Sequence, residues 1–180
     1  SPNTGNGRTM FHAGGCASCH ATPQQEDKTR LGGGLALKSP FGTFYGPNIT
    51  PHPDAGLGRW SEADFVRAMR LGLRPDGAHY FPAFPYPSFT RIVDADLRDL
   101  WAYVRSLPPN PRANRAHDLN FPFGWRFLVV GWKWLFFTPG ALVPDPVLQE
   151  PYQPCLVDSI EEAPNVGVEN PVHRGIADCH

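Results

Sequence analysis

The stretch "GGCASCHA", residues 14–21, sets Cys16 and Cys19 three positions apart, with His20 directly after the second thiol. That spacing serves a redox disulfide, half of a zinc site, or the attachment of a c-type haem. A thioredoxin-like disulfide needs a strand before the first cysteine and a βαβ context after it, and "RTMFHAGG" (8–15) is not such a strand. Zinc needs two further ligands. Cys155 and Cys179 are distant and do not form a close pair, and His52, His79 and His117 stand at no metal-type spacing. A c-type haem needs only what is present: two thiols to bond its vinyl side chains and an adjacent histidine as an iron ligand. The residues therefore point to one covalently bound haem c on Cys16, Cys19 and His20.

The rest of the chain is consistent with a large flat body inside it. The 180 residues carry 21 prolines, 18 glycines, 12 phenylalanines and 5 tryptophans, a composition of long ordered loops that must pack on something. Residues 5–14 read as a short helix leading to Cys16. Residues 22–58 show neither helical nor alternating period and read as one long loop, whose Leu35, Leu37, Phe41, Phe44, Tyr45 and Ile49 need an apolar partner. "WSEADFVRAMRLG" (60–72) is the clearest helix. Ser61 and Asp64 stand at capping-box spacing, Trp60 and Phe65 at staple spacing, and Gly72 is the stop. "DADLRDLWAYVRSLPP" (94–109) lines up Leu97, Leu100, Trp101, Val104 and Leu107 on one face, with Asp94 or Asp96 as cap and two prolines as terminator.

Beyond Pro109 the character changes. Residues 121–140 are apolar and aromatic but interrupted by Arg126 and Lys133, as expected of a helix packed on the preceding domain or docked to a partner. The division expected is 1–110 for the haem domain, 111–145 for the packing or docking segment, and 146–180 for an extended tail or the start of a second domain. Net charge is −1 and the two signs are mixed, so nucleic acid is not an expected partner. No apolar run is long enough for a transmembrane span. No signal peptide is visible, which equally describes a processed exported protein.

The pieces "MFHAGGCASCHA" (10–21), "SPFGTFYGPNITPHPDAGLGRWSEADFVRAMRLG" (39–72), "HYFPAFPYPSFT" (79–90) and "DADLRDLWAYVRSLPPN" (94–110) together resemble the class I cytochrome c domain. They are most similar to the multi-haem cytochrome c subunits of membrane-bound periplasmic alcohol and sugar dehydrogenases. "FPFGWRFLVVGWKWLFF" (121–137) is similar to the segment that joins the first two haem domains there. The resemblance implies an all-α fold with long haem-wrapping loops, followed by an apolar linker and irregular tail. It further implies electron transfer between a periplasmic dehydrogenase or other donor and a respiratory acceptor. The chain would then be a non-catalytic subunit, attached to the inner membrane through a partner that docks near 121–140.

The chain departs from that family in two places. It ends in "GIADCH" with Ile176 where a second haem motif would need its first thiol, so a second haem at Cys179 is unsupported. The methionine that usually ligates iron from the far side, often within "PAMPY", is replaced by Phe84 in "PAFPY". His79 is the expected replacement, or else a donor to a haem propionate, with Met69 as a weaker candidate. An open iron would instead suit a haem enzyme or a small-ligand-binding protein. Pro40 or a neighbouring carbonyl is expected to accept the second ring proton of His20. Asn48 is expected to reach a propionate or turn backbone, and Tyr45, Trp60 and Phe84 to pack on the haem.

Overall fold

The computed structural model describes residues 1–27 and 30–143. Within them lie six helices: α1 (Thr4–Ala13), α2 (Cys16–His20), α3 (Glu62–Leu71), α4 (Tyr86–Phe89), α5 (Asp94–Ser106) and α6 (Phe127–Phe136). Three short strands, β1 (Ala36–Ser39), β2 (Gly42–Tyr45) and β3 (Asp118–Leu119), form one antiparallel sheet in that order. Residues 1–143 make a single compact unit, so the segment after Pro109 folds together with the helices that precede it. The expected tail and Cys155, Cys179 and His180 lie outside the described residues.

The two best-patterned helices form for the reasons their residues suggest. Ser61 Oγ accepts from the Asp64 amide while the Asp64 carboxylate accepts from the Ser61 amide, a reciprocal capping box at the start of α3. Gly72 closes α3 in the left-handed conformation. α5 buries Leu97, Leu100, Trp101 and Val104 on one face. Its cap differs from expectation: Val93 holds the cap position with no side-chain bond, and Asp94 is already helical and pairs with Arg70.

α1 crosses α5 at Gly7. A Cβ there would stand 2.0 Å from the Asp99 carbonyl oxygen, so only glycine lets the two backbones come this close. Around the crossing, Phe11, Leu97 and Leu100 are each no more than 2% exposed, and the Phe11 and Tyr103 rings lie 5.4 Å apart. The amide of Asn3 and the side-chain amide of Asn6 donate to Asp99, which clasps the open end of α1 onto α5. On the other side, Phe65 and Met69 of α3 complete the core, with Phe65 stacked on Trp101 at 5.1 Å.

The expected featureless loop 22–58 is more regular than its composition suggests. β1 and β2 pair from Ala36↔Tyr45 to Ser39↔Gly42 around a turn at Pro40 and Phe41. β3 joins later, Thr43 opposite Asp118. The strands are only two to four residues long, too short to show a period of two against a Gly- and Pro-rich background.

Candidate functional site

α2 is a single helical turn begun by Gly15 in the left-handed conformation. Cys16 and Cys19, separated by three positions, therefore rise on one face, and both are free thiols. Burial pushes the Cys16 thiol up to about 11, aided to a lesser degree by Cys19, so it stays protonated at neutral pH. Disulfide oxidoreductases work by the opposite device, a depressed thiol. Among the described residues no group of three or more His, Cys, Asp or Glu is gathered that could hold a metal on protein ligands alone.

His20 ends α2. Its Nδ1 lies 2.8 Å from the Pro47 carbonyl oxygen, which can only accept, so the ring proton sits on Nδ1 and Nε2 keeps its lone pair. Burial lowers the pKa of His20, and the Pro47 bond offsets this only in part, so the ring is neutral. The carbonyl reaches His20 because the chain passes directly over α2. A Cβ on Gly46 would lie 1.9 Å from the Cys19 carbonyl oxygen. Two same-face thiols and a neutral, proton-fixed imidazole form the donor set that a covalently held iron porphyrin requires. On that ground the residues fit a c-type haem.

The acceptor for His20 is thus Pro47, seven residues past the Pro40 expected for it. Pro40 is exposed at the β1–β2 turn. A backbone carbonyl leaves no mark of its own in a sequence, although Pro47 directly precedes Asn48.

Of the two partners expected for Asn48, a propionate or backbone, it takes the backbone. It is 1% exposed, and its side-chain amide donates to the carbonyls of Asn110 and Arg112 at 2.8 and 2.9 Å. Its Oδ1 accepts from the Thr50 amide and hydroxyl at 2.9 and 2.7 Å. All of its bonding capacity is thereby filled from within, and none is left for a propionate. Its role is to staple residues 46–50 to the extended chain after α5, helped by Asn114, whose Oδ1 accepts from the Asn48 amide.

Tyr45 is buried under the Arg115 guanidinium, 4.1 Å above its ring, and its amide donates to His117 Nδ1. Trp60 and Phe84 both pack, half-buried, against the central core. Phe84 meets the rings of Tyr80, Tyr86 and Phe89 and brings only carbon to a position where the resembling family brings sulfur. Met69 is 5% exposed within the same core cluster, as an ordinary interior residue would be.

The hydrogen bonds of His79 weigh against the first of its two expected roles, iron ligand, and not against the second, hydrogen-bond donor. Its Nδ1 lies 3.0 Å from Lys133 Nζ, and the same ammonium donates to the Leu71 and Gly72 carbonyls. Burial lowers Lys133 to about 8, which leaves it largely protonated at pH 7. A protonated ammonium has no lone pair, so Nδ1 must accept, and the neutral ring carries its proton on Nε2. A ring in that state offers a donor and has no free lone pair for iron. Arg126 adds a bond to the His79 carbonyl at 2.6 Å. Nothing in the sequence marks Lys133 and Arg126 for this role, because cations within an apolar run read as interruptions.

Comparison with known proteins assigns the chain to a family. The cytochrome c family model matches residues 5–108. A diheme cytochrome c-type protein of Cereibacter sphaeroides is 47% identical over 139 residues, 76% of this chain and 47% of that protein. A nicotinate dehydrogenase subunit of Pseudomonas putida is 47% identical over 140 residues, 78% of this chain and 12% of that subunit. The cytochrome c subunit of the quinone alcohol dehydrogenase of Gluconobacter oxydans is 38% identical over 130 residues, 70% of this chain and 27% of that subunit. The chain spans less than half the length of each of these relatives. It belongs to the cytochrome c family, as an electron-transfer domain of predominantly α-helical fold with a single covalently bound c-type haem.

Proposed function

We propose that Cys16 and Cys19 tether the haem, that His20 Nε2 ligates its iron, and that the protein relays single electrons from a dehydrogenase to a respiratory acceptor in the periplasm. The supporting observation is the 2.8 Å contact between His20 Nδ1 and the Pro47 carbonyl, which leaves one lone pair on the ring and fixes where it points. In tethering, each thiol adds across a vinyl group, sulfur to one carbon and its hydrogen to the other, with no net oxidation. The bound haem supplies a one-electron ferric/ferrous couple. The chain's own part is to hold the imidazole neutral and oriented, and to keep water from the apolar walls built by Phe65, Trp101 and Phe84. The dehydrogenase assignment rests on what the relatives are named for, among them the gluconate 2-dehydrogenase and fructose dehydrogenase cytochrome subunits.

A haem stain after denaturing electrophoresis tests the tether. The wild type retains the stain, and the Cys16→Ala, Cys19→Ala double variant loses it. Retention in the double variant would remove these residues from the site.

The distal side favours a second reading for the iron's remaining position. Phe84 has no donor atom, and His79 presents a proton rather than a lone pair. The ferrous protein is then expected to bind carbon monoxide rapidly. Inertness to it would restore a strong sixth ligand.

A further inference from the structure

The two half-buried cations of the apolar segment are not equally satisfied. Lys133 spends its donors on the Leu71 and Gly72 carbonyls and on His79 Nδ1. Arg126 gives one donor to the His79 carbonyl, and its guanidinium lies 4.6 Å over the Phe81 ring. Among the described residues, no carboxylate comes within ion-pair distance of Arg126. Asp76, whose charge it feels, is paired with Arg74 at 3.1 Å. Burial and repulsion from Arg74 both act against the Arg126 charge. A guanidinium does not shed its proton to escape this, so an anion is what would stabilise it. A second donor stands beside it. His117 Nδ1 accepts from the Tyr45 amide at 3.1 Å. Desolvation and the Arg126 charge lower the His117 pKa, so the ring is neutral with its proton on Nε2. Among the described residues, nothing accepts that proton.

We infer that Arg126 and His117 form a seat for one carboxylate group, beside the Phe44 and Phe81 rings. A planar guanidinium fork matches the paired oxygens of a carboxylate, and the imidazole N–H adds a further donor. The packing sets its place. Phe44 and Phe81 lie 5.7 Å apart, and the His117 ring closes on them at 5.3 and 5.8 Å. Phe44 belongs to the strand that leads to Pro47, the acceptor of His20, and Phe81 to the loop that leads to Phe84. The proximal strap and the distal loop therefore meet here. A flat macrocycle held between those two layers has an edge at their junction, and the charged groups on the edge of a haem are its propionates. Two sources can fill the seat: a haem propionate, which rests on the haem reading above, or a free carboxylate from solvent. Both residues lie beyond 5–108, the stretch that the cytochrome c family model matches, so the seat is an addition made to that domain by the chain that follows it.

The test uses the haem protein produced on δ-aminolevulinate carrying carbon-13 at its carboxyl carbon, which labels the propionate carboxyls. Carbon-13 NMR of the ferrous protein under carbon monoxide follows both propionates as the pH is lowered. A nearby cation favours the ionised form of a carboxyl, so one propionate should bind its proton roughly tenfold or more weakly than the other. Arg126→Gln should abolish that difference, and Arg126→Lys, which keeps the charge, should retain most of it. His117→Gln, at an exposed position, should give a smaller change in the same direction, and it serves if Arg126→Gln does not fold. A free carboxylate in the seat gives a different pattern. The propionates then titrate alike, and added acetate shifts the nitrogen NMR signal of His117 Nε2 to saturation in the wild type but not in Arg126→Gln. Propionates that titrate alike with no saturable acetate effect would overturn the inference, as would a difference between them that survives Arg126→Gln. Failure of the haem reading registers separately, as loss of the haem stain.

Discussion

Replacing Gly7 with alanine probes the contact on which the helical frame depends. The added Cβ would sit 2.0 Å from the Asp99 carbonyl oxygen, 2.6 Å from its carbon and 2.9 Å from Tyr103 Cβ. Two of those three atoms are backbone and cannot rotate away, so α1 and α5 must part by at least about 1 Å before the contact is even tolerated. A gap of that size forfeits about a quarter to a half of each dispersion contact along the crossing, where Phe11, Leu97 and Leu100 are almost wholly buried. Overpacking of this kind costs about 1–3 kcal/mol, here at the upper end and with the Asn3 and Asn6 bonds to Asp99 stretched as well. Alanine's helix propensity returns about 1 kcal/mol. The net loss expected is about 2 kcal/mol, or a melting temperature lower by roughly 6–8 °C for a unit of this size. Gly131→Ala is the control, since its Cβ meets nothing within 4 Å and the substitution should be neutral or stabilising. Far-ultraviolet dichroism during heating reads both. A Gly7→Ala protein melting with or above the wild type would show that the crossing is not tight and refute the reasoning.

Asn48→Ala strands the Asn110 and Arg112 carbonyls and frees Thr50. It should cost about 2–4 kcal/mol in denaturant titration, far more than loss of a solvated propionate contact would. Asp64 and Asp99 are both held below the ordinary carboxylate value of 3.8, chiefly by backbone amides, those of Ser61 and Asn3. The unfolded chain then binds protons more readily than the folded one, so their stabilisation is present above that value and fades as pH falls through the folded pKa. Asp64→Asn and Asp99→Asn should flatten the acid limb of the stability profile, and an unchanged limb would discount both clasps. His79→Ala should leave the iron's spin state and visible spectrum as in the wild type, while nitrogen NMR of the wild type finds the His79 proton on Nε2. A switch from six- to five-coordinate iron in that variant would return His79 to the ligand position.

The parts legible in the sequence are those in which a side chain itself does the work. The Cys16, Cys19 and His20 spacing, the Ser61–Asp64 box and the apolar face of α5 each carry their reason in residue identity and period. The illegible parts are carried by backbone or by context. Pro47 acts through its carbonyl, Gly46 through the absence of a side chain, and β1–β3 through pairings too brief to show a period. Asn48 reads as reaching either a propionate or a nearby turn backbone, yet the carbonyls it donates to lie more than 60 residues further along the chain. Lys133 and Arg126 look like flaws in an apolar helix until the carbonyls at the end of α3 and at His79 are seen to be waiting for them.

The Asn48 staple also ties the order of the chain to the behaviour of a single ring. Pro47, which grips His20, is held at its next residue by Asn110, Arg112 and Asn114, a stretch that follows α5 and the buried Leu107. Inserting or deleting one residue between Leu107 and Asn110 would shift that stretch past Asn48 and slacken the Pro47 carbonyl, with nothing altered near the histidine itself. A less firmly held Nδ1 proton makes the imidazole a poorer electron donor and favours the reduced metal. If His20 ligates the iron as proposed, the length of an unremarkable proline-rich turn would act as a coarse adjustment of how readily that iron is reduced.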